Sequence, residues 1–171
     1  MTVHTIGHST RTLDEFIALL RAHGILQLAD VRTVPKSRRH PHFAREALAR
    51  SLPASGIAYR HLTGLGGRRK PRKDSQNTAW RHESFRGYAD HMQTTVFGQA
   101  LDELIDWSAT PTAIMCAEAL WWQCHRQLIA DALVARAVGV RHIMSATSAP
   151  VHTLTSFARV DAGRVTYPGL I

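Results

Sequence analysis

The sequence contains few cysteines and no long apolar run. Only Cys116 and Cys124 occur in 171 residues, and their spacing matches no disulfide framework, so we expect a reduced, cytoplasmic protein. No apolar stretch approaches the roughly 20 residues that span a bilayer. The N-terminal "MTVHTIGHST" lacks the basic segment and apolar run of a signal peptide. These absences predict a protein with no membrane partner.

Acidic side chains are missing from two segments that are rich in basic ones. Five basic residues lie between Arg32 and Arg45, and six lie between Arg60 and Lys73, with no acid in either segment. The whole chain has a net charge of +8. This clustering favours an anionic partner, either a phosphate-bearing small molecule or nucleic acid. The alternative is that the charge only keeps the protein soluble.

The hydrophobic pattern predicts an α/β fold. Alternating residues predict five strands, in residues 3–7, 25–32, 57–62, 112–118 and 140–144. Helices are predicted between them: one opened by the capping box of Thr12 and Glu15 and ending before Gly24, and others in 45–56, 84–109 (one helix or two) and 121–137. We therefore predict a single three-layer domain over 1–171, with a mostly parallel sheet of about five strands and helices on both faces. A long basic loop at about 63–79 and a C-terminal β-hairpin at about 153–168 complete it.

Polar side chains follow four of the predicted strands. His8 follows the first strand, Asp30 and Arg32 close the second, the basic loop follows the third, and Cys116 and Glu118 close the fourth. Ligands of open α/β sheets bind beyond the carboxyl ends of the strands. We therefore predict that these side chains meet in one site.

The segment "IMCAEALWWQCHRQLIADAL" (114–133) holds both cysteines. A cysteine-phosphatase loop needs an arginine where Trp122 stands, and a sulfurtransferase loop needs small residues where Glu118 stands, because a carboxylate there raises the pKa of the thiol. Cys116 is therefore either a packing residue or a thiol activated by the following helix N-terminus. The spacing of Cys116, Cys124 and His125 matches no zinc pattern, so we predict no metal and no cofactor.

The helical pattern of 121–137 places Cys124 and His125 near the apolar stripe of that helix. A buried histidine satisfied by its neighbours is the plain interpretation there. Glu118 and Arg126 either pair with each other or act on a substrate, Glu118 moving a proton and Arg126 holding an anion.

Aromatic and basic residues alternate in "WRHESFRGYADHM" (80–92). Trp80, Phe85 and Tyr88 among the arginines suit base stacking combined with phosphate contact. The same row is also typical of a helix edge that faces the core while its arginines extend to solvent.

Several motifs together resemble a bacterial family, the one catalogued as domain of unknown function 488. They are "TIGHSTRTLDEFIALLRAHGI", "LADVRTVPKSRRHPHF", "GIAYRHLTGLGGRR", "WRHESFRGYADHM", "MCAEALWWQCHRQLIADAL" and the tail "LTSFARVDAGRVTYP". The resemblance covers nearly the whole chain; it implies the same fold class and supplies no reaction. The signature it marks consists of Gly7, His8, Ser9, Asp30, Arg32, Pro35, Ser37, Arg38, Cys116, Glu118, Cys124, His125 and Arg126.

The leading hypothesis is an enzyme, a hydrolase or transferase, that acts on a phosphate-bearing substrate. Glu118 would be the general acid or base and Cys116 a nucleophile or packing group, with His8, His125 and Asp30 assisting. The candidate anion-binding residues are Arg32, Ser37, Arg38, Arg68, Arg69 and Arg126. The alternatives are a non-catalytic nucleic-acid-binding module, with Trp80, Phe85 and Tyr88 stacking on bases, and a thiol or metal redox protein that uses both cysteines.

Overall fold

A five-stranded parallel sheet forms the centre of the computed structural model, which describes residues 1–169. Its strand order is β3-β2-β4-β1-β5, and every neighbouring pair is parallel. The strands are β1 (Thr2–Gly7), β2 (Gln27–Asp30), β3 (Ala58–His61), β4 (Thr112–Cys116) and β5 (Gly139–His142). The central strand β4 is buried along its whole length, as a strand covered on both faces must be. The predicted parallel α/β sheet is confirmed.

Helices cover both faces of this sheet. They are α1 (Leu13–Ala22), α2 (Arg45–Ala54), α3 (Glu83–His91), α4 (Thr95–Trp107) and α5 (Arg126–Ala135). On one face, α1 and α2 bury Phe16 and Leu48 against Leu28 of β2. On the other face, α4 and α5 bury Leu101 and Leu128 in a second cluster. Alternate side chains of each strand point to opposite faces, so the sheet has an apolar layer on each side.

Local sequence signals fix several element boundaries. Thr12 and Glu15 form the capping box at the start of α1, and Gly24 has a φ of 68° just after its end. The segment 84–109, predicted as one helix or two, forms two, because Thr94 caps the second one. Pro53 lies inside the last turn of α2, which ends at Ala54. The C-terminal hairpin is confirmed: β6 (Arg159–Asp161) pairs antiparallel with β7 (Arg164–Thr166).

The helix expected over 121–137 is shorter, and this changes the position of Cys124. A 3₁₀ turn spans Trp121–Gln123, Cys124 itself is extended (φ −145°, ψ 171°), and α5 begins only at Arg126. Cys124 is therefore not on the apolar stripe of a helix. Its thiol instead lies at the helix N-terminus.

The basic loop after β3 is tied to the fold by one buried carboxylate. Asp90 of α3 is 6% exposed and accepts hydrogen bonds from the backbone N–H of Arg72 (2.8 Å) and from the side chains of Ser75 (2.6 Å) and Asn77 (2.7 Å). The basic side chains in this loop are thus presented from an anchored backbone. No helix within 1–169 is both long and apolar enough to cross a membrane.

Gly7, the last residue of β1, is required by a close backbone approach. A Cβ placed there would lie 1.7 Å from the carbonyl oxygen of Glu118. Only glycine therefore lets the chain after β4 pass directly over the end of β1. This contact sets the position of the 117–119 segment beside the site.

We expect Gly7→Ala to lower the free energy of unfolding by about 1–3 kcal/mol, because the added methyl group displaces the 117–119 backbone. Gly98→Ala in α4 is the matched control, since its Cβ would meet nothing within 4 Å. We expect it to leave stability unchanged or raise it by up to about 1 kcal/mol. Urea denaturation of both variants gives the comparison. Equal stability of the two variants would contradict the assigned role of Gly7.

Candidate active site

A cavity of about 270 Å³ opens at the carboxyl ends of β1, β2 and β4. Strand-end side chains from three separate parts of the chain meet in its wall. His8 follows β1, Arg32 follows β2, and Cys116 and Glu118 come from the end of β4. The remaining lining residues are Thr33, Val34, Lys36, Ser37, Gly67, Arg68, Ala117, Cys124 and His125.

The two cysteines are in direct contact at this cavity. Their Sγ atoms lie 2.9 Å apart, and both residues are free thiols that are almost fully buried. Because Cys124 is extended and precedes α5, its Sγ also accepts the first free N–H of that helix, from Arg126, at 3.2 Å. The N-cap residue of α5 is His125, which makes no side-chain capping bond, so the sulfur of the residue before it takes up this N–H.

Arg126 lies beneath this pair and is 1% exposed. Its guanidinium donates from Nε to Cys124 Sγ (3.3 Å), from Nη1 to Thr5 Oγ1 (3.3 Å) and from Nη2 to the carbonyl oxygen of Glu118 (2.6 Å). No carboxylate within residues 1–169 forms an ion pair with it. A buried, permanently charged arginine needs an anion. Among the groups that accept its hydrogen bonds, the Cys124 sulfur is the one that can carry a negative charge, as a thiolate.

The electrostatics separate the two thiols. Burial by itself raises the pKa of Cys124, but the hydrogen bond from Cys116 and the nearby His125 and Arg126 lower that pKa well below its usual range. Burial and the adjacent Cys124 sulfur raise the pKa of Cys116 well above its usual range. The surroundings therefore favour the thiolate form at Cys124 over that at Cys116. From the sequence, only Cys116 was named as a candidate nucleophile, and Cys124 entered only the redox alternative.

Arg32 is positioned by Asp30, which is fully buried. The Asp30 carboxylate accepts from Nε and Nη2 of Arg32 (2.9 and 2.7 Å) and from the Tyr59 hydroxyl (2.5 Å). Asp30 does not line the cavity, so it acts on the site through Arg32. His8 lies near the third nitrogen of this guanidinium, with 3.5 Å between His8 Nε2 and Arg32 Nη1.

His8 is neutral at neutral pH. Burial lowers its pKa to about 4, with Arg32 contributing in the same direction. Its Nδ1 donates to the carbonyl oxygen of Ser9 (2.9 Å), so Nε2 carries the free lone pair, and its ring stacks on Phe43 with centroids 4.4 Å apart. His8 can therefore accept a proton or a hydrogen bond at the cavity wall.

Two histidines hold the backbone that follows β2. His125 Nε2 lies 2.6 Å from the carbonyl oxygen of Val31, and His61 Nε2 lies 2.7 Å from that of Arg32. Each of these nitrogens carries the proton, because a carbonyl only accepts. The other nitrogen of His125 is close to Gly67, where a Cβ would lie 2.9 Å from it. His125 is thus a packing and positioning residue for the cavity wall.

Positive side chains line the outer part of the cavity. Lys36 and Arg68 are exposed and border it together with Ser37. Arg68 has a φ of 55°, an uncommon value for a residue with a side chain. Glu118 is also exposed at the rim, and its contact with Arg126 is through its backbone oxygen rather than its carboxylate.

Other residues predicted for the site lie outside the cavity. Arg38 is exposed and does not line it, and Arg69 turns back to donate to the carbonyl oxygens of Gly66 and Thr63 (both 3.2 Å). Arg126 is enclosed and cannot clamp a ligand in the cavity directly.

The three aromatic residues expected to stack on bases pack into the protein. Trp80 and Tyr88 are buried, and Tyr88 donates to the carbonyl oxygen of Leu65 (2.7 Å). Phe85 packs against Trp80 with 5.0 Å between ring centroids. Of the two alternatives for Trp80 and Tyr88, the structure therefore shows core packing and not exposed rings that could stack on bases.

Lys36 and Gly67 line the cavity but had no role in the sequence-based hypotheses, and Cys124 had one only in the redox alternative. A cysteine two residues before an arginine at a helix start is the signal that could have identified Cys124. Among residues 1–169, no three His, Cys, Asp or Glu side chains lie together in a way that could hold a metal ion.

The comparisons place the chain in a family. The model of the family described as "Domain of unknown function DUF488" matches residues 12–133, which includes both cysteines and Arg126. The chain therefore belongs to that family. No curated protein and no solved structure matches it.

The electrostatics predict how the thiols react with an alkylating agent as the pH changes. Because its pKa is lowered, we expect Cys124 to react with iodoacetamide at pH values well below the ordinary titration range of cysteine near 8.5. Mass spectrometry of peptides should find the label on Cys124. Cys124→Ser should remove the fast reaction, and Cys116→Ser should retain a reactive thiol. Rates that rise only above about pH 8 would contradict the assignment.

Proposed function

We propose that the protein is a thiol-dependent enzyme that reduces a small anionic substrate, with Cys124 as the nucleophile and Cys116 as the second thiol. The observation that carries this proposal is the 2.9 Å contact between the two sulfur atoms at the wall of an open, positively charged cavity. The buried charge of Arg126 supports it, because that charge favours a thiolate at Cys124.

In the first step, the Cys124 thiolate attacks the reducible atom of the substrate. A new bond forms between Cys124 Sγ and that atom, and the bond to the leaving group breaks with its electron pair going to the leaving group. The leaving group takes a proton, for which Glu118 at the rim is the nearest exposed acid of the cavity.

In the second step, Cys116 completes the reduction. While Cys124 is a thiolate, its charge holds the proton on Cys116. Once Cys124 is covalently bonded, that charge is gone and Arg126 favours ionisation of Cys116 instead. Cys116 loses its proton to solvent and attacks Cys124 Sγ, and the bond between Cys124 and the substrate breaks towards the substrate. Starting from one thiolate and one thiol, the pair loses two electrons and one proton overall and becomes a disulfide, which a cellular thiol or dithiol reductant returns to the starting state.

The cavity selects the charge and size of the substrate. Lys36, Arg68 and Arg32 line it, and a volume of about 270 Å³ admits a small molecule but no folded nucleic acid. A phosphate group is one anionic handle that these side chains would bind through charge-assisted hydrogen bonds.

A chromogenic disulfide tests the two-thiol reaction. We expect the wild-type protein to react with the anionic dithiobis(nitrobenzoate) and release both halves of the reagent, leaving an internal disulfide. Cys116→Ser should release one half and keep the other on Cys124, and Cys124→Ser should react slowly. Mass spectrometry identifies each adduct. Release of both halves by Cys116→Ser would contradict the role of the second thiol.

The neutral dithiodipyridine provides the control for substrate charge. Both reagents are aromatic. The rate at which each reagent reacts with the protein is divided by the rate at which the same reagent reacts with a free small thiol. We expect the anionic reagent to be favoured at low salt, with Lys36→Gln and Arg68→Gln together removing the preference. No preference in the wild-type protein would exclude an anionic substrate.

A second candidate function is polyanion binding by the basic loop. The exposed side chains of Arg68, Lys70, Arg72 and Lys73 support it, because Asp90 anchors the loop that presents them. Arg68 also lines the cavity, so this positive surface continues to the thiols.

Binding of single-stranded and duplex nucleic acid tests this candidate. We expect affinity to fall as salt rises, because neutralised phosphates release counterions, and to fall further when Arg68, Arg69, Lys70, Arg72 and Lys73 are replaced by glutamine. The charge-matched control replaces Arg21, Arg50, Arg141, Arg159 and Arg164, which are exposed elsewhere. Fluorescence anisotropy gives both affinities. Equal loss in the two variants would show that only net charge matters.

A further inference from the structure

A chain of buried hydrogen bonds leads away from Arg126 on the side opposite the cavity. Thr5 Oγ1 accepts from Arg126 Nη1 at 3.3 Å and lies 2.7 Å from His142 Nδ1. His142 Nε2 lies 2.8 Å from His152 Nδ1, and His152 Nε2 lies 2.8 Å from Asp131 Oδ1. All five side chains are buried, with at most 5% exposure.

The bonds at the two ends of this chain have a fixed direction, because Arg126 can only donate and the Asp131 carboxylate can only accept. His152 therefore donates from Nε2 to Asp131. The same direction continues along the chain when His142 donates from Nε2 to His152 and Thr5 donates to His142 Nδ1. Burial, His152 and Arg126 lower the pKa of His142 to about 3, so its ring is neutral as this direction requires. The bonds are aligned from the positive to the negative end, and aligned bonds strengthen one another.

The Asp131 end and the middle of the chain are held by further contacts. The Tyr167 hydroxyl donates to Asp131 Oδ2 (2.7 Å), and the backbone N–H of Thr155 donates to Oδ1 (3.0 Å). Trp121 stacks on His142 at a centroid distance of 4.2 Å and an angle of 4°. The position of each ring is therefore determined by packing as well as by hydrogen bonds.

We propose that Thr5, His142 and His152 are positioning residues that hold the Arg126 guanidinium against Cys124 Sγ and so maintain the anionic nucleophile. A guanidinium with one nitrogen left unpaired can rotate towards other acceptors, and its charge then acts on Cys124 from a greater distance. The chain prevents that rotation without touching the cavity. This inference rests on the thiol site of the proposed function, but it does not require that the protein turns over a substrate.

The variant that tests this is Thr5→Val, which keeps the shape of the side chain and removes its hydroxyl. The groups that face Cys124 from its surroundings are Cys116 on β4, His125 and Arg126 at the start of α5, and Tyr88 on α3, and Thr5→Val changes none of them. In Thr5→Val, we expect the midpoint of the Cys124 titration, followed by thiolate absorbance near 240 nm, to move up by about one pH unit. Below the midpoint, the variant then contains about tenfold less thiolate than the wild type. Alkylation below the midpoint should slow about tenfold as well.

Two comparisons separate positioning from a loss of stability. Thr5→Ser restores the hydroxyl and should restore the wild-type titration. Thr112→Val removes another fully buried strand hydroxyl, at the opposite end of β4, where it contacts Gln27 and Thr110. We expect it to lower the melting temperature without moving the thiol titration.

A second variant tests the middle of the chain if Thr5→Val folds poorly. His142→Phe preserves stacking on Trp121 and removes both hydrogen bonds, and it should shift the titration in the same direction. Unchanged titrations in folded Thr5→Val and His142→Phe would overturn the inference, even if the disulfide reaction proceeds as proposed. Shifted titrations would support it even if no substrate is ever reduced.

Discussion

A single positive charge without a carboxylate partner organises this site. Arg126 is 1% exposed, and desolvating an arginine is costly unless an anion and full hydrogen bonding compensate. Its acceptors are the Cys124 sulfur, the Thr5 hydroxyl and the backbone oxygens after β4. Each of these belongs to a different segment of the chain. The fold must therefore be complete before the charge is compensated, which links the chemistry of the thiol to the folded state.

The fold could be predicted from the sequence because its signals are local and repeated. Five apolar strands alternate with helices, and the capping box at Thr12 and the glycine at position 24 mark the ends of α1. The site was partly predictable for a different reason. His8, Arg32 and Cys116 each follow a strand, and parallel strands end at the same edge of a sheet. Topology alone therefore brings these three to one cavity.

The position of Cys124 could not be predicted, because its local sequence resembles a helix. Residues 121–137 contain good helix formers and no serine, threonine, aspartate or asparagine before Arg126 that would mark a helix start. The helix instead starts after His125 without a side-chain cap, and the Cys124 sulfur accepts the N–H of Arg126. The chain of Thr5, His142 and His152 is equally hidden, because it joins residues up to 137 positions apart whose contact depends on the finished sheet. The sequence pattern around Trp80 and Tyr88 was ambiguous, because aromatic residues interleaved with basic ones occur on a core-facing helix as well as on a nucleic-acid surface.

Tyr167, near the C-terminus, joins Asp131 to the end of the basic loop. Its hydroxyl donates to Asp131, its backbone carbonyl oxygen accepts from the backbone N–H of Ala79 (3.0 Å), and its backbone N–H donates to the side-chain oxygen of Asn77 (2.9 Å). The matched family region stops at residue 133. A fragment cut to that region would lose Tyr167 and its hydrogen bonds to the basic loop and to Asp131. The contacts that hold this part of the fold thus extend beyond the segment by which the family is recognised.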